Sequence, residues 1–417
     1  MSNENFSRRV FLKKAAQYGL FLGGSGFALS NLLLTKSAAS DKINYFLDSI
    51  TEESILQNAP LAKYWVSTAS KNVNCANCHA PGEINFTEQH HHDNETIRCL
   101  LCAQNCFIKS GERGKCRARI NINGKLRSLV YGHPAAIHTD PIEKKPFYHF
   151  LPGSEAYSLA TAGCPLSCKF CQNWQISQSK PEDFSTDYTP PDTIVETAVL
   201  QNTPVIAFTY NEPTVFTEYL LDIAEYASSK KVRSVLVSCG FMNQAPLADM
   251  CNILSAIKID LKGYSRDFYR DVCNADLTPV LNSIKQISKS KVHLEIVNLV
   301  VPTLNDSEKM LNNLTDWIAG EIGPDVPIHF TRFHPDYKLA NLPSTPISTL
   351  EQARETAMKK GIHFVYIGNV PGHPGNNTYC PYCGKEIIKR SNFFVLEIKM
   401  TGGRCDYCKH SIAGVWQ

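Results

Sequence analysis

The 417-residue chain lacks any large excess of charge. Its formal charge is +3, and residues 1–39 account for it with five bases (Arg8, Arg9, Lys13, Lys14, Lys36) against one acid, Glu4. The remainder carries 37 basic and 38 acidic residues. A near-neutral body has no field with which to gather a polyanion, so no nucleic-acid partner and no membrane-surface partner is expected for it. Internal repeats and low-complexity stretches are also missing. With 43% hydrophobic and 19% charged residues the composition is that of an ordinary globular protein, neither fibrous nor disordered. A long unbroken apolar run is absent as well. The best stretch, Ala15 to Leu34, contains Gln17, Asn31, two serines and four glycines, and makes a weak spanning helix.

That stretch has a context of its own. Paired arginines at 8 and 9 precede Phe11, Leu12 and Lys13, and Ser37-Ala38-Ala39 offers small residues for cleavage. Residues 1–39 thus resemble a twin-arginine signal, which carries folded, cofactor-loaded proteins across a bacterial membrane. The expectation is an exported protein, periplasmic or membrane-anchored. An uncleaved segment would instead act as a tether, with a cytoplasm-facing body as one outcome.

Cysteine is abundant: sixteen residues, of which only Cys239, Cys251 and Cys273 stand outside short-range clusters. Spacings of two and three residues are metal-ligand spacings, and a chain this long with this much apolar core has no need of a disulfide scaffold. One cluster is short of a ligand. "CPLSCKFCQNW" places Cys164, Cys168 and Cys171 in Cys-x3-Cys-x2-Cys with no fourth cysteine nearby. A cubane iron–sulfur cluster has four irons, each wanting a terminal ligand. Three cysteines leave one iron open to a small molecule. The plain alternatives are a zinc knot, or an electron-transfer cluster completed by a distant cysteine.

From about 155 to 370, short β-branched runs alternate with amphipathic stretches such as 216–229 and 306–319. The expected strands are AYSLATA, PVIAFTY, SVLVSCG, AIKIDLKG, VHLEIVNLVV, PIHFTRF and HFVYIGNV. Strand–helix alternation implies an α/β fold with a parallel sheet, a partial (β/α) barrel, whose chemistry gathers at the strands' carboxyl ends. Cys164, Tyr210, Glu212, Asp260, Lys262, Glu295 and His334 all follow strands in this reading. Residues 41–70 read as helical. The expected layout is a signal segment (1–39), a cysteine-rich N-terminal module (40–150), the partial barrel (151–372) and a four-cysteine ribbon (373–417).

The triad spacing, sited after a first strand, resembles the signature of the radical S-adenosylmethionine (radical SAM) superfamily. "TYNEP" (209–213), "KIDLK" (258–262) and "RFHP" (332–335) follow in order. With "CQNWQIS", "IDLKGYSRDFY" and "VYIGNVPG", they resemble the pyruvate formate-lyase-activating-enzyme-like group, in particular the radical SAM enzymes of the AmmeMemoRadiSam system. The likeness runs from about residue 97 to the C-terminus. It implies a 4Fe–4S cluster on Cys164, Cys168 and Cys171, with the open iron chelating SAM. Reductive cleavage of SAM would give a 5′-deoxyadenosyl radical that abstracts hydrogen from a substrate. It implies SAM contacts for Glu212, Asp260, Lys262 and His334. Trp174 is expected to pack beside cluster or adenine, with plain core burial as the alternative. The implied partners are a reductant protein, flavodoxin- or ferredoxin-like or haem-linked, and a substrate that is a glycyl-radical protein, a peptide or a small molecule.

Three other clusters remain. Cys99, Cys102, Cys106 and Cys116 can fill a closed site, either a second Fe–S cluster or zinc. Cys380, Cys383, Cys405 and Cys408 form two Cys-x2-Cys knuckles, the arrangement of a zinc ribbon or a rubredoxin-type iron site. Cys75, Cys78 and His79 ("CANCH") fit the haem c attachment pattern, or a metal knuckle with His90, His91 or His92. An exported multi-centre electron carrier without SAM chemistry is the rival to the enzyme.

Overall fold

A computed structural model describes residues 55–56, 59–67, 95–184 and 186–417. The expected export segment, Cys75, Cys78, His79 and the histidines at 90–92 lie outside the described residues. Among those described, no helix is long and apolar enough to cross a membrane.

The N-terminal module is β-structured. Strands β1 (Trp65–Ser67), β2 (Ile97–Cys99) and β3 (Phe107–Ile108) form an antiparallel sheet. Within the stretch read as helical, described residues 55–56 are helical but 65–67 form a strand, because Trp65, Val66 and Ser67 pair with Cys99, Arg98 and Ile97. A hairpin, β4 (Arg119–Ile122) and β5 (Lys125–Ser128), follows. Its Asn123-Gly124 turn takes the two positive φ angles, 50° and 76°, that tight hairpins demand.

The main sheet has eight strands in strict sequential order. They are β6 (Ala136–Pro141), β7 (Glu155–Ala160), β8 (Val205–Phe208), β9 (Arg233–Ser238), β10 (Ala256–Asp260), β11 (His293–Val300), β12 (Ile328–Arg332) and β13 (Val365–Gly368). All seven expected strands are present and mutually parallel; β6 runs antiparallel to β7. The sheet does not close, so β6 and β13 are edges and the barrel is partial. Strand β6 draws residues 136–141 into the core sheet from the stretch assigned to the N-terminal module.

Each crossover carries a helix: α1 (Pro191–Leu200), α2 (Thr217–Ser229), α3 (Gln244–Ile253), α4 (Leu277–Ser288), α5 (Glu308–Glu321) and α6 (Ile347–Lys359). Local sequence starts them. Asp276 accepts from Thr278 N–H at 2.7 Å and Ser307 from Met310 N–H at 3.3 Å, satisfying donors the first turn would orphan. Strands such as Val205–Phe208 are buried on both faces, as a helix-covered parallel sheet requires. Each large side chain so buried, Phe208, Phe216 and Phe330 among them, is worth roughly 1.5–3 kcal/mol.

The C-terminal ribbon comprises β14 (Thr378–Tyr379), β15 (Glu386–Ser391), β16 (Phe394–Ile398), β17 (Met400–Thr401) and β18 (Arg404–Cys405). Arg390 of β15 anchors it. The guanidinium donates to Tyr148 O at 2.9 Å and Thr378 Oγ1 at 2.8 Å, and lies over the Tyr148 ring.

One buried ion pair joins the N-terminal module to α2. Arg119 of β4 pairs with Glu218, both under 5% exposed, and Glu218 also accepts from Lys63 N–H at 2.7 Å. Removing one member of such a pair strands the other charge away from water. Glu218→Ala is expected to cost about 3–5 kcal/mol, read as a lowered urea midpoint at constant slope. A loss below about 1 kcal/mol, the range of a surface pair, would contradict this.

Candidate functional site

The three cysteines of the Cys-x3-Cys-x2-Cys motif sit on a loop after β7 that neighbouring backbone fastens on several sides. Ser167 N–H donates to Cys273 O at 3.1 Å, Lys169 N–H to Val272 O at 3.0 Å, and Gly163 N–H to Ile176 O at 2.8 Å. The Gln178 amide donates to Leu166 O at 3.0 Å. Cys164, Cys168 and Cys171 all line one cavity of about 840 Å3 on the carboxyl side of the sheet, and none is in a disulfide. Leu166 N–H bonds Cys164 and Asn173 N–H bonds Cys171. Burial nevertheless pushes both thiols up. Cys168 is lowered instead, by a hydrogen bond from the Cys273 thiol and by nearby Lys262. Three thiols converging on one roomy cavity fit a cluster that must keep one corner for a ligand.

The Thr209–Pro213 turn forms the next wall. Tyr210 sits at φ 69°, the left-handed region where glycine is usual, so the backbone course of a glycine is kept without one. Two bonds latch this turn to the triad loop: the Asn211 amide to Gly163 O at 2.9 Å and the Asn173 amide to Tyr210 O at 2.9 Å. Glu212 is buried. Its carboxylate accepts from Thr214 N–H at 3.1 Å, Thr214 Oγ1 at 2.6 Å, Ser238 Oγ at 2.7 Å and Cys239 N–H at 2.7 Å. Four donors hold it rigidly at the cavity wall.

A third wall comes from the end of β10, where Lys258, Asp260 and Lys262 alternate along the chain and all face the cavity. Asp260 pairs with Lys258, and with Lys262 at 3.5 Å. Burial would raise the Asp260 carboxyl, and the two ammonium groups more than reverse it. Burial would likewise lower Lys262, but Asp260 and the surrounding cysteines hold it well above the ordinary lysine range. The site therefore keeps a fixed carboxylate and a fixed ammonium side by side.

Three expected residues lie elsewhere. His334 is exposed and outside the cavity lining, its Nδ1 3.4 Å from Ser344 Oγ. It comes two residues after β12 ends, past the point where the chain leaves the wall. The histidine that does line the cavity is His329, inside β12. Trp174 is 37% exposed and stacks on Tyr337, centroids 5.1 Å apart, outside the lining. Glu295, expected at a strand end, is instead mid-β11 and fully buried outside the lining. It accepts from His329 Nε2 at 2.7 Å, His293 Nε2 at 3.1 Å, Tyr148 N–H at 2.9 Å and His149 N–H at 2.8 Å.

At the far end of the chain the ribbon cysteines meet. The ligand atoms of Cys380, Cys383, Cys405 and Cys408 all lie within 4.8 Å of one another, with Cys380–Cys408 at 3.5 Å and Cys383–Cys405 at 3.8 Å. Sulfurs on one tetrahedral zinc stand about 3.8 Å apart, from bonds of about 2.3 Å. This group can hold a single metal ion.

Residues 158–314 match the model of the radical SAM superfamily. An uncharacterized protein of Methanocaldococcus jannaschii is 43% identical over 322 residues, which span 77% of this chain and 96% of that one. The chain belongs to the radical SAM superfamily. Among solved structures it is similar to a domain of pyruvate-formate lyase-activating enzyme from Bacteroides vulgatus, at 15% identity and TM-score 0.36 over 39% of this chain and 98% of that one. It is also similar to a radical SAM methyltransferase from Sphaerobacter thermophilus, at 11% identity and TM-score 0.42 over 68% and 76%.

Several residues lining this cavity were not foreseen from sequence. Lys258 was legible as the cavity-facing residue two before Asp260, by strand alternation. His329 and Thr331 share that alternation in "PIHFTRF". Lys145 and Asp140 line the cavity and pair at 2.7 Å, with Tyr210 Oη donating to Asp140 at 2.7 Å. No local spacing announces that group.

Glu295 yields a pH prediction. Burial favours its neutral form, but the histidine and backbone donors outweigh this and hold the carboxyl well below the ordinary range. Because the folded value is depressed, its stabilisation is complete above the unfolded carboxyl value near 4.3 and fades as pH falls below it. Glu295→Gln should lose about 3 kcal/mol at pH 7 and lose less on going to pH 3 than the parent does. Parallel acid-stability curves for the two proteins would contradict the assignment.

Proposed function

We propose that this radical SAM protein reductively cleaves S-adenosylmethionine and uses the resulting 5′-deoxyadenosyl radical to abstract hydrogen from a second substrate. The observation that carries the reading is the convergence of Cys164, Cys168 and Cys171, with Glu212, Asp260 and Lys262, on one cavity. A 4Fe–4S cluster on the three thiolates supplies the electron that breaks the C–S bond and an open iron for the methionine end of SAM. Lys262 offers a charge for the SAM carboxylate, and Asp260 holds that lysine in place. Glu212, its other bonds already made, presents a carboxylate edge to the SAM ammonium. Walls from the triad loop, Tyr210 and β10 to β13 surround the cavity in which a carbon radical would need shelter from solvent.

The activating-enzyme-like grouping and its choice of substrate, a glycyl-radical protein, a peptide or a small molecule, belong to this proposal. So do zinc in the ribbon and export through the segment 1–39. A pure electron carrier, the rival reading, gives no purpose to a cavity of about 840 Å3 walled by paired charges.

Anaerobically reconstituted protein, reduced with dithionite, is expected to form 5′-deoxyadenosine from SAM, and Cys168→Ala to form none. An unchanged yield in the variant would overturn the proposal. Lys262→Ala should raise the KM for SAM about ten- to hundredfold, the worth of a hydrogen bond to a charged group at roughly 1.5–3 kcal/mol. An unaltered KM would remove Lys262 from the binding site.

A further inference from the structure

Cys99, Cys102, Cys106 and Cys116 form a second thiol cluster that SAM binding does not use. Cys99 N–H donates to Cys106 O at 2.9 Å, closing a turn that carries Cys102 between them. A Cβ on Gly114 would lie 3.8 Å from the sulfurs of both Cys106 and Cys116, so these two face one space. None of the four is in a disulfide. Backbone N–H groups of Gln104, Lys115 and Ala118 bond the sulfurs of Cys102, Cys106 and Cys116.

Among the described residues, the ribbon cysteines are the group drawn within 4.8 Å, and the four thiols here are not gathered that tightly. That leaves room for a cluster of several irons.

Position gives the centre a purpose. A Cβ on Gly163, at φ 94°, would meet Cys116 O at 2.3 Å, so the quartet's last member touches the residue just before Cys164. The Gln104 amide donates to Pro165 O at 2.9 Å, and Arg117 to Ser177 O at 2.8 Å. Cys102, Cys116 and Cys99 are buried on this inner side. Cys106 is only partly covered, and its neighbour Phe107 is 42% exposed with the Arg98 guanidinium over its ring. The quartet thus runs from the surface to the loop that carries the catalytic cysteines.

We propose that these four cysteines bind an iron–sulfur centre and admit electrons to the catalytic site from a low-potential one-electron carrier protein that docks at Phe107. One electron leaves the carrier's reduced flavin or cluster and passes inward; no protein bond forms or breaks. The direction of flow rests on the SAM-cleaving reading, whereas the metal content does not.

The test uses the full chain with Cys164, Cys168 and Cys171 all changed to Ala, reconstituted with iron and sulfide. It should retain iron and sulfide in equal amounts and a reduced paramagnetic signal that SAM leaves unchanged. Zinc beyond the one ion the ribbon can hold, or no iron with sulfide, overturns the site. In the parent protein, where no substitution can disturb folding, signals of two reduced centres should broaden each other; a single unbroadened signal overturns it too. Phe107→Glu should lower the ratio of flavodoxin-driven to dithionite-driven reduction about tenfold, and an unchanged ratio overturns the entry role. Iron in the triple variant, with no 5′-deoxyadenosine from the parent, would count against SAM cleavage while upholding this centre.

Discussion

Everything at this site depends on holding a short loop so that three thiols, and no fourth from the same loop, face one cavity. A loop of this composition has little to fix it by itself. "CPLSCKFCQ" sinks only two large apolar side chains, Leu166 and Phe170, into the core and has no regular hydrogen bonding of its own. The fixing comes from outside: backbone donors to Val272 and Cys273 on one side, the Asn211 and Asn173 latches on another, and the Cys116 carbonyl against Gly163 on a third. Val272 and Cys273 come from the crossover after β10, Asn211 from the one after β8, and Cys116 from the N-terminal module. The fold is therefore a device for bringing distant segments to the end of β7.

The same logic governs charge. Buried ions near the cavity occur in matched groups: Lys258 and Lys262 around Asp260, Lys145 with Asp140, and Glu295 among its donors. Unpaired, any of these would cost several kcal/mol of desolvation. Paired, they fix polar edges in the cavity wall. Arg119 with Glu218 does the equivalent for the N-terminal module, locking it to α2 so that its cysteines keep their place against the Cys164–Cys171 loop.

Much of this was legible in the sequence, for identifiable reasons. The seven parallel strands declare themselves because both faces are buried and β-branched residues crowd them. Strand β6 did not, because an edge strand reading AIHTDP, with no fully buried residue, carries no hydrophobic signal. The three cysteines, Glu212, Asp260 and Lys262 could be grouped in advance, and do line one cavity, because motif spacing and order survive in one dimension. His334 was placed wrongly and His329 overlooked for one reason. Alternation says which residues share a strand face, but not how far along the strand the cavity floor lies. Cys273 looked solitary at a distance of 105 residues from Cys168, and only the crossover topology brings the two thiols together.

The central claim is that an iron held at the Cys164–Cys171 loop is left open for SAM. Electron–nuclear double resonance on the reduced protein, mixed with SAM carrying 15N at the amino group and 13C at the carboxylate, tests it most directly. The account predicts coupling of both labels to the cluster spin, at strengths that require direct iron coordination. Absence of both couplings, with the cluster intact and reduced, would contradict it.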